Sequence, residues 1–210
     1  MNREIERLLD ISNTARTNPA MITAEDVSFV SKTVKSSNEK VAAQAYATVG
    51  LIGSNRPEKI MHLIEGAFVA LKDKNADIRE QALLAIGSVG RADVSAVEKR
   101  MEKIIQLHCD PIPKVRGAML IACQNIAQAK ATILKPYIGL FERMLDDPDE
   151  IVREQAPEIF RIIGKYEPEI VERSLVFLKT KLNDPSETVQ NRATGAIRII
   201  ETYLRRTPTV

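Results

Sequence analysis

Tryptophan is absent from this 210-residue chain, aromatic residues make up 4% of it, and there are two cysteines and two histidines. Each scarcity removes a class of function. Stacking on nucleic-acid bases needs exposed rings and phosphate binding needs clustered positive charge, yet here 30 basic residues stand against 28 acidic ones for a net charge of +2. A metal site at His108 and Cys109 would need further ligands, and the other histidine, His62, lies far away in sequence, so no metal or other cofactor is expected. No disulfide framework is evident, which makes a reducing cytoplasm the simplest address. No apolar run approaches the ~18 residues of a membrane span, and the opening stretch from Met1 to Arg7 lacks the apolar core of a secretory signal. Gly-rich phosphate loops, zinc motifs and nucleophile elbows are missing as well, so an enzyme is not expected.

What the chain does have is a period. Val41, Ile78, Val115, Val152 and Val189 follow one another at intervals of 37 residues. Offsets of 4, 8 and 11 after each anchor, and of 18, 14, 11 and 7 before it, fall on apolar residues with two exceptions. In the second unit they are Ile60, Ile64, Ala67 and Leu71, then Ala82, Ile86 and Val89. Steps of three and four put each set on one face of a helix. Across all these columns only Thr23 and His108 are polar, in a chain that is 44% apolar. His108 is expected to end a first helix, partly buried and bonded to a nearby carbonyl or aspartate. Cys123 stands in a core column and reads as a small apolar residue.

Between the two helical sets lies a turn marked by Asp73, Asp110, Asp147 and Asp184, with Ser36 in the first unit. Pro111, Pro148 and Pro185 follow three of them and suit the start of a second helix. Pro157 falls inside a second helix, where a kink or a late helix start is expected. Each unit is therefore an antiparallel helical hairpin. The expected organisation is a single domain over residues 1–210: a covering helix at 1–20 built on Ile5, Leu8, Leu9 and Ile11, five hairpins at about 21–55, 56–92, 93–129, 130–166 and 167–204, and a short tail at 205–210.

Asp73 with Ile78-Arg79, Asp110 with Val115-Arg116, and Asp147 with Val152-Arg153 resemble the HEAT repeat family, in which a turn aspartate is followed six residues later by an arginine early in the second helix. The fifth unit departs with Gln190 and the first with Ser36 and Ala42. The resemblance covers roughly Thr23 to Glu201. It implies an all-α fold, a right-handed α-α superhelix, and straighter first helices because the proline common inside them is missing. Since the Asp and Arg columns recur with the period, they read as a structural ladder, each guanidinium reaching the aspartate of its own or the adjacent unit, and not as catalytic groups.

The resemblance also places the second helices on a concave face, where a partner would bind. Offsets of 2, 6 and 9 from the anchors point away from the core columns and name the candidate partner-binding residues: Glu80, Leu84, Ile121, Gln124, Glu154, Glu158, Arg161 and Arg198. Small residues dominate this ridge in the first three units, so a helix or extended peptide is expected to approach closely, with Leu84 and Ile121 as apolar anchors. Other activities within HEAT-like families, nucleic-acid binding and enzymatic, set the alternatives. DNA glycosylases of this type use a basic face with aromatic side chains, which this ridge lacks. Di-iron hydroxylases use His-Glu pairs, but Leu63 follows His62 and Cys109 follows His108; lyases that handle tetrapyrroles carry weaker motifs, and a deep pocket would distinguish them.

Overall fold

The computed structural model describes residues 2–206; from residue 207 onward the expected tail lies outside the described residues. Every regular element among the described residues is helical. The chain forms two compact units, Met1–Ala122 and Cys123–Val210. The first holds α1 (Arg3–Thr17), α2 (Ala24–Thr33), α3 (Glu39–Asn55), α4 (Pro57–Ile60), α5 (Ile64–Ala70), α6 (Ala76–Ala92), α7 (Met101–Ile105) and the start of α8 (Pro113–Lys130), which runs on into the second. The second continues with α9 (Ile138–Met144), α10 (Glu150–Tyr166), α11 (Pro168–Val171), α12 (Leu175–Thr180) and α13 (Glu187–Leu204).

The long helices α3, α6, α8, α10 and α13 are the second helices of the pattern, and each begins at the same point of the period. Their starts are set by side chains that satisfy otherwise unpaired amides. Asn38 accepts from the Lys40 amide, Asn75 from those of Asp77 and Ile78, and Asp149 from that of Ile151. Pro113 opens α8. Pro148 and Pro185 stand one residue before the caps Asp149 and Ser186, so these prolines shape the turn and do not begin the helix.

The first helices are not straight runs. Only α2 is a single α-helix; its counterparts alternate short α and 3-10 segments, with bends at Ile60, Val97 and Val171, where φ lies near −120° and ψ is 6°, −23° and 6°. No proline is needed for this. The bend drops a β-branched side chain, stiff and poorly suited to a helix, into the core, and all three residues are fully buried. In the first unit the equivalent position is Thr23, which explains why it is polar: it starts α2 in a capping box, accepting from the Asp26 amide at 3.1 Å while Asp26 accepts from the Thr23 amide at 3.0 Å.

All five anchors are buried, with Phe141 and Phe160 among the largest fully enclosed side chains. One further core column escaped the pattern: Tyr46, Leu83, Leu120 and Pro157, five residues after their anchors, are all buried. Pro157 thereby fills a core position, and α10 begins in step with the other second helices, so the late start expected from this proline does not occur. α1 packs on α3 through Leu8, Ile11 and Ala15, with the Ser12 and Thr48 hydroxyls 2.9 Å apart, while Leu9 stays exposed.

Cys123 is fully buried in its column and burial pushes its thiol up from the ordinary range, whereas Cys109 is exposed. The thiolate is the reactive form. An aromatic disulfide reagent is therefore expected to titrate one thiol in the native protein and two after denaturation; rapid native reaction of both would contradict the packing.

Candidate functional site

The turns carry the most regular polar geometry in the molecule. Each turn aspartate accepts, through one carboxylate oxygen, the amide two residues on: Asp73 from Asn75 at 2.8 Å, Asp110 from Ile112 at 2.9 Å, Asp147 from Asp149 at 2.9 Å and Asp184 from Ser186 at 3.0 Å. The residue six positions on then donates to the aspartate's own carbonyl: Arg79 at 2.8 Å, Arg116 at 2.9 Å, Arg153 at 3.1 Å and Gln190 at 2.7 Å. Gln190 thus keeps the bond within its unit despite losing the charge.

The other edge of the guanidinium reaches the next aspartate along. Arg79 grips both oxygens of Asp110, Nε to Oδ2 at 2.7 Å and Nη2 to Oδ1 at 2.8 Å, and Arg153 Nε donates to Asp184 Oδ2 at 3.0 Å. Both pairs are nearly enclosed. Burial alone would raise the carboxyl pKa of Asp110, but the bond from Arg79, the Ile112 amide and the field of Arg79 and Arg116 hold it below the ordinary range. Asp184 is lowered in the same manner against its own burial, by the Ser186 amide and by Arg153. The guanidinium groups of Arg79 and Arg153 are thus each shared between the carbonyl of their own turn and the carboxylate of the next.

The ridge of second helices is narrower than the sequence suggested. Gly50, Gly87 and Gln124, nine residues after their anchors, are buried because the adjacent second helix passes over them: a Cβ on Gly50 would sit 3.2 Å from the Ala85 Cα. Small residues here admit a neighbouring helix of the same chain, not a partner. Gln124 is corrected accordingly, since it is buried and donates to the Gln155 carbonyl at 3.0 Å.

The remaining candidates divide between the units. In the first, Leu84 on α6 and Ile121 on α8 hold equivalent, half-buried positions, and Glu80 accepts from Lys114 at 3.2 Å. In the second, Glu158 and Arg161 pair with each other beside a shallow cleft of about 280 Å³ that Gln124, Lys165 and Tyr166 also line. The Glu154 carbonyl accepts from Arg192 at 2.8 Å, and Arg198 is exposed beside Leu182 and Glu201.

A wider hollow lies elsewhere. An open hollow of about 890 Å³ in the first unit is lined by Ser36, Ala42, Tyr46 and Asp73 at the turn edge, by Val69 on α5 and by Leu107. Its signal in the sequence was the departure of the first unit from the ladder at Ser36 and Ala42. His108 does what its column suggested: half-buried, it donates from Nδ1 to the Ile105 carbonyl at 2.9 Å. Among the described residues no group of three or more His, Cys, Asp or Glu is placed to hold a metal ion, and no helix is long and apolar enough to cross a membrane.

Comparison with solved structures identifies the fold. An engineered protein matches with a TM-score of 0.71 and 16% identity over 97% of this chain and 98% of its own. A designed armadillo repeat protein, solved in complex with the peptide (KR)4, matches with a TM-score of 0.68 and 20% identity, covering 94% and 98%. Computationally designed armadillo repeat proteins for modular peptide recognition match at 0.65 and 20%, again covering 94% and 98%. The fold is an all-α repeat solenoid of the armadillo and HEAT type. No curated protein matches the chain. Residues 44–172, more than half of it, match the family model Cnd1, non-SMC mitotic condensation complex subunit 1.

Proposed function

The chain belongs to the Cnd1 family of non-SMC mitotic condensation complex subunits, and from that membership we propose that it is a non-catalytic protein-interaction module. The occupant is a helix or extended peptide lying on the second helices, the face that HEAT arrays hold concave. The observation that carries this reading is the pair Leu84 and Ile121, two large aliphatic side chains at matching positions of α6 and α8, half-exposed beside the charged Glu80 and Lys114. An amphipathic segment offers the complementary surface. In the second unit, Glu154, Glu158, Arg161 and Arg198 supply the polar contacts, with Gln124 as a buried support to its helix and not a contact. The peptide held by the designed armadillo neighbour supports the mode of binding without naming a ligand for this chain.

A scaffold is favoured over an enzyme because the regular charged groups are consumed in the turn ladder and the large hollow is open-sided, unlike an enclosing chromophore pocket. The family description supports a place within a multi-subunit assembly of mitotic cells, and the two free cysteines suit a reducing compartment such as the cytoplasm.

Affinity capture from mitotic cells tests the reading, using the native protein beside Leu84→Asp and Ile121→Asp. A buried charge in place of an anchor is expected to weaken capture of the direct partner by about tenfold or more. Circular dichroism and the unfolding midpoint establish that each variant folds. Folded variants that retain every partner would show that this face is not the docking surface.

A further inference from the structure

We propose that the gap left by Ala42 in the Asp–Arg ladder is a receptor for an arginine side chain of a partner polypeptide, whose guanidinium completes the missing rung against Asp73. The intact rung in the same unit defines what such a slot requires. Arg79 donates to the carbonyls of Asp73 and Lys74 on one side and to both carboxylate oxygens of Asp110 on the other. One period earlier the arginine is Ala42, while by the same 37-residue offset Ser36 corresponds to Asp73 as the turn carbonyl and Asp73 corresponds to Asp110 as the rung carboxylate. Ser36, Ala42 and Asp73 line the same cavity of about 890 Å³, far more space than a guanidinium needs.

Asp73 is the rung carboxylate left over. It accepts from the Asn75 amide, but among the described residues no lysine or arginine forms an ion pair with it, and it is only partly buried. Its charge is felt within the cavity: Tyr46, one helical turn beyond Ala42, has its phenol pKa raised by burial and further by Asp73. A planar guanidinium suits the arrangement better than an ammonium, because two acceptor sets must be bridged at once. Lys35, Lys72 and Lys103 also line the cavity, all exposed, so the arginine would carry acidic neighbours. The site is separate from Leu84 and Ile121 and does not depend on the reading of that face.

The probe is a capped five-residue peptide with a central arginine and glutamate at each end, titrated into the isotope-labelled full chain and followed by amide chemical shifts. Saturable shifts are expected at Ser36, Ala42 and Asp73. The citrulline counterpart, isosteric but uncharged, is expected to bind about tenfold more weakly, as is the arginine peptide to Asp73→Asn, a change that retains the turn acceptor. Ala42→Arg fills the slot from within; it is expected to abolish the shifts and to raise the unfolding midpoint by about 3 °C. Equal binding of the arginine and citrulline peptides, shifts confined to other residues, or an undiminished response in folded Ala42→Arg would each overturn the proposal. Should Ala42→Arg not fold, Asp73→Asn decides alone: unchanged affinity overturns it.

Discussion

Replacing Asp110 with alanine is expected to lower stability by about 3–5 kcal/mol, the cost of stranding a buried partner charge. Arg79 and Asp110 form a two-bond pair whose side chains are 11% and 5% exposed, so little water is available to take over when the carboxylate is removed. The Ile112 amide loses its acceptor in the same substitution, and with it the turn that starts α8. Arg7 and Glu25, at 41% and 81% exposure, provide the contrast: cutting that pair is expected to cost under about 1 kcal/mol. Urea unfolding of Asp110→Ala and Glu25→Ala side by side measures the difference, and equal losses would mean that the ladder is no more than a surface decoration.

Asp110→Asn separates the charge from the turn, since an asparagine oxygen still accepts from Ile112. Its pH dependence has a fixed sign. Because the folded-state pKa of Asp110 lies below its ordinary value of 3.8, the folded state favours the ionised form, and the stabilisation is complete above that value and is lost as pH falls through the folded one. The gap in stability between the native protein and Asp110→Asn is thus expected to be full near neutrality and to close in acid, below about pH 4. Asp184, shifted in the same direction, adds to the acid sensitivity of the second unit. A gap that stayed constant from neutrality into acid would rule out ionisation as its source.

The aliphatic columns were legible because helix periodicity is a property of neighbouring residues: Ile60 to Leu71 and Ile78 to Val89 declare their faces without reference to anything else in the chain. The Asp–Arg columns were legible as a ladder for the same reason. Which unit each guanidinium serves was not, because the choice depends on how far one hairpin is displaced from the next; the structure shows that Arg79 serves both, the carbonyl of its own turn and the carboxylate of the following one. The bends at Ile60, Val97 and Val171 were hidden since buried valine and isoleucine look alike in a helix or beside a break. The candidate face failed at Gly50, Gly87 and Gln124 because periodicity gives the direction away from the first helix but not the position of the neighbouring second helix. Departures from the columns proved more informative than the columns themselves. Thr23 starts a helix, Gln190 keeps half a rung, and Ala42 leaves one rung without its arginine beside an open hollow.

The close backbone approach at Gly87 yields an expected reversal of sign between two identical substitutions. Gly87 and Gly195 both lie inside second helices, neither has a positive φ, and alanine at either would gain about 1 kcal/mol of helix propensity if nothing else changed. At Gly195 nothing lies within 4 Å of an added Cβ, so the gain is expected to survive and raise the unfolding midpoint by about 2–4 °C. At Gly87 the added carbon would stand 2.6 Å from the Ala122 Cα, 3.0 Å from its Cβ and 3.1 Å from its carbonyl oxygen. None of these atoms can rotate aside, so α6 and α8 must separate and give up packing along their shared length. Overpacking of this kind costs about 1–3 kcal/mol and outweighs the propensity, and Gly87→Val, which adds two further carbons at the same point, is expected to cost more than Gly87→Ala. Thermal unfolding of the three variants checks both signs. A stabilised Gly87→Ala would mean that the two helices do not meet backbone to backbone, and that the glycine is there for some reason other than their approach.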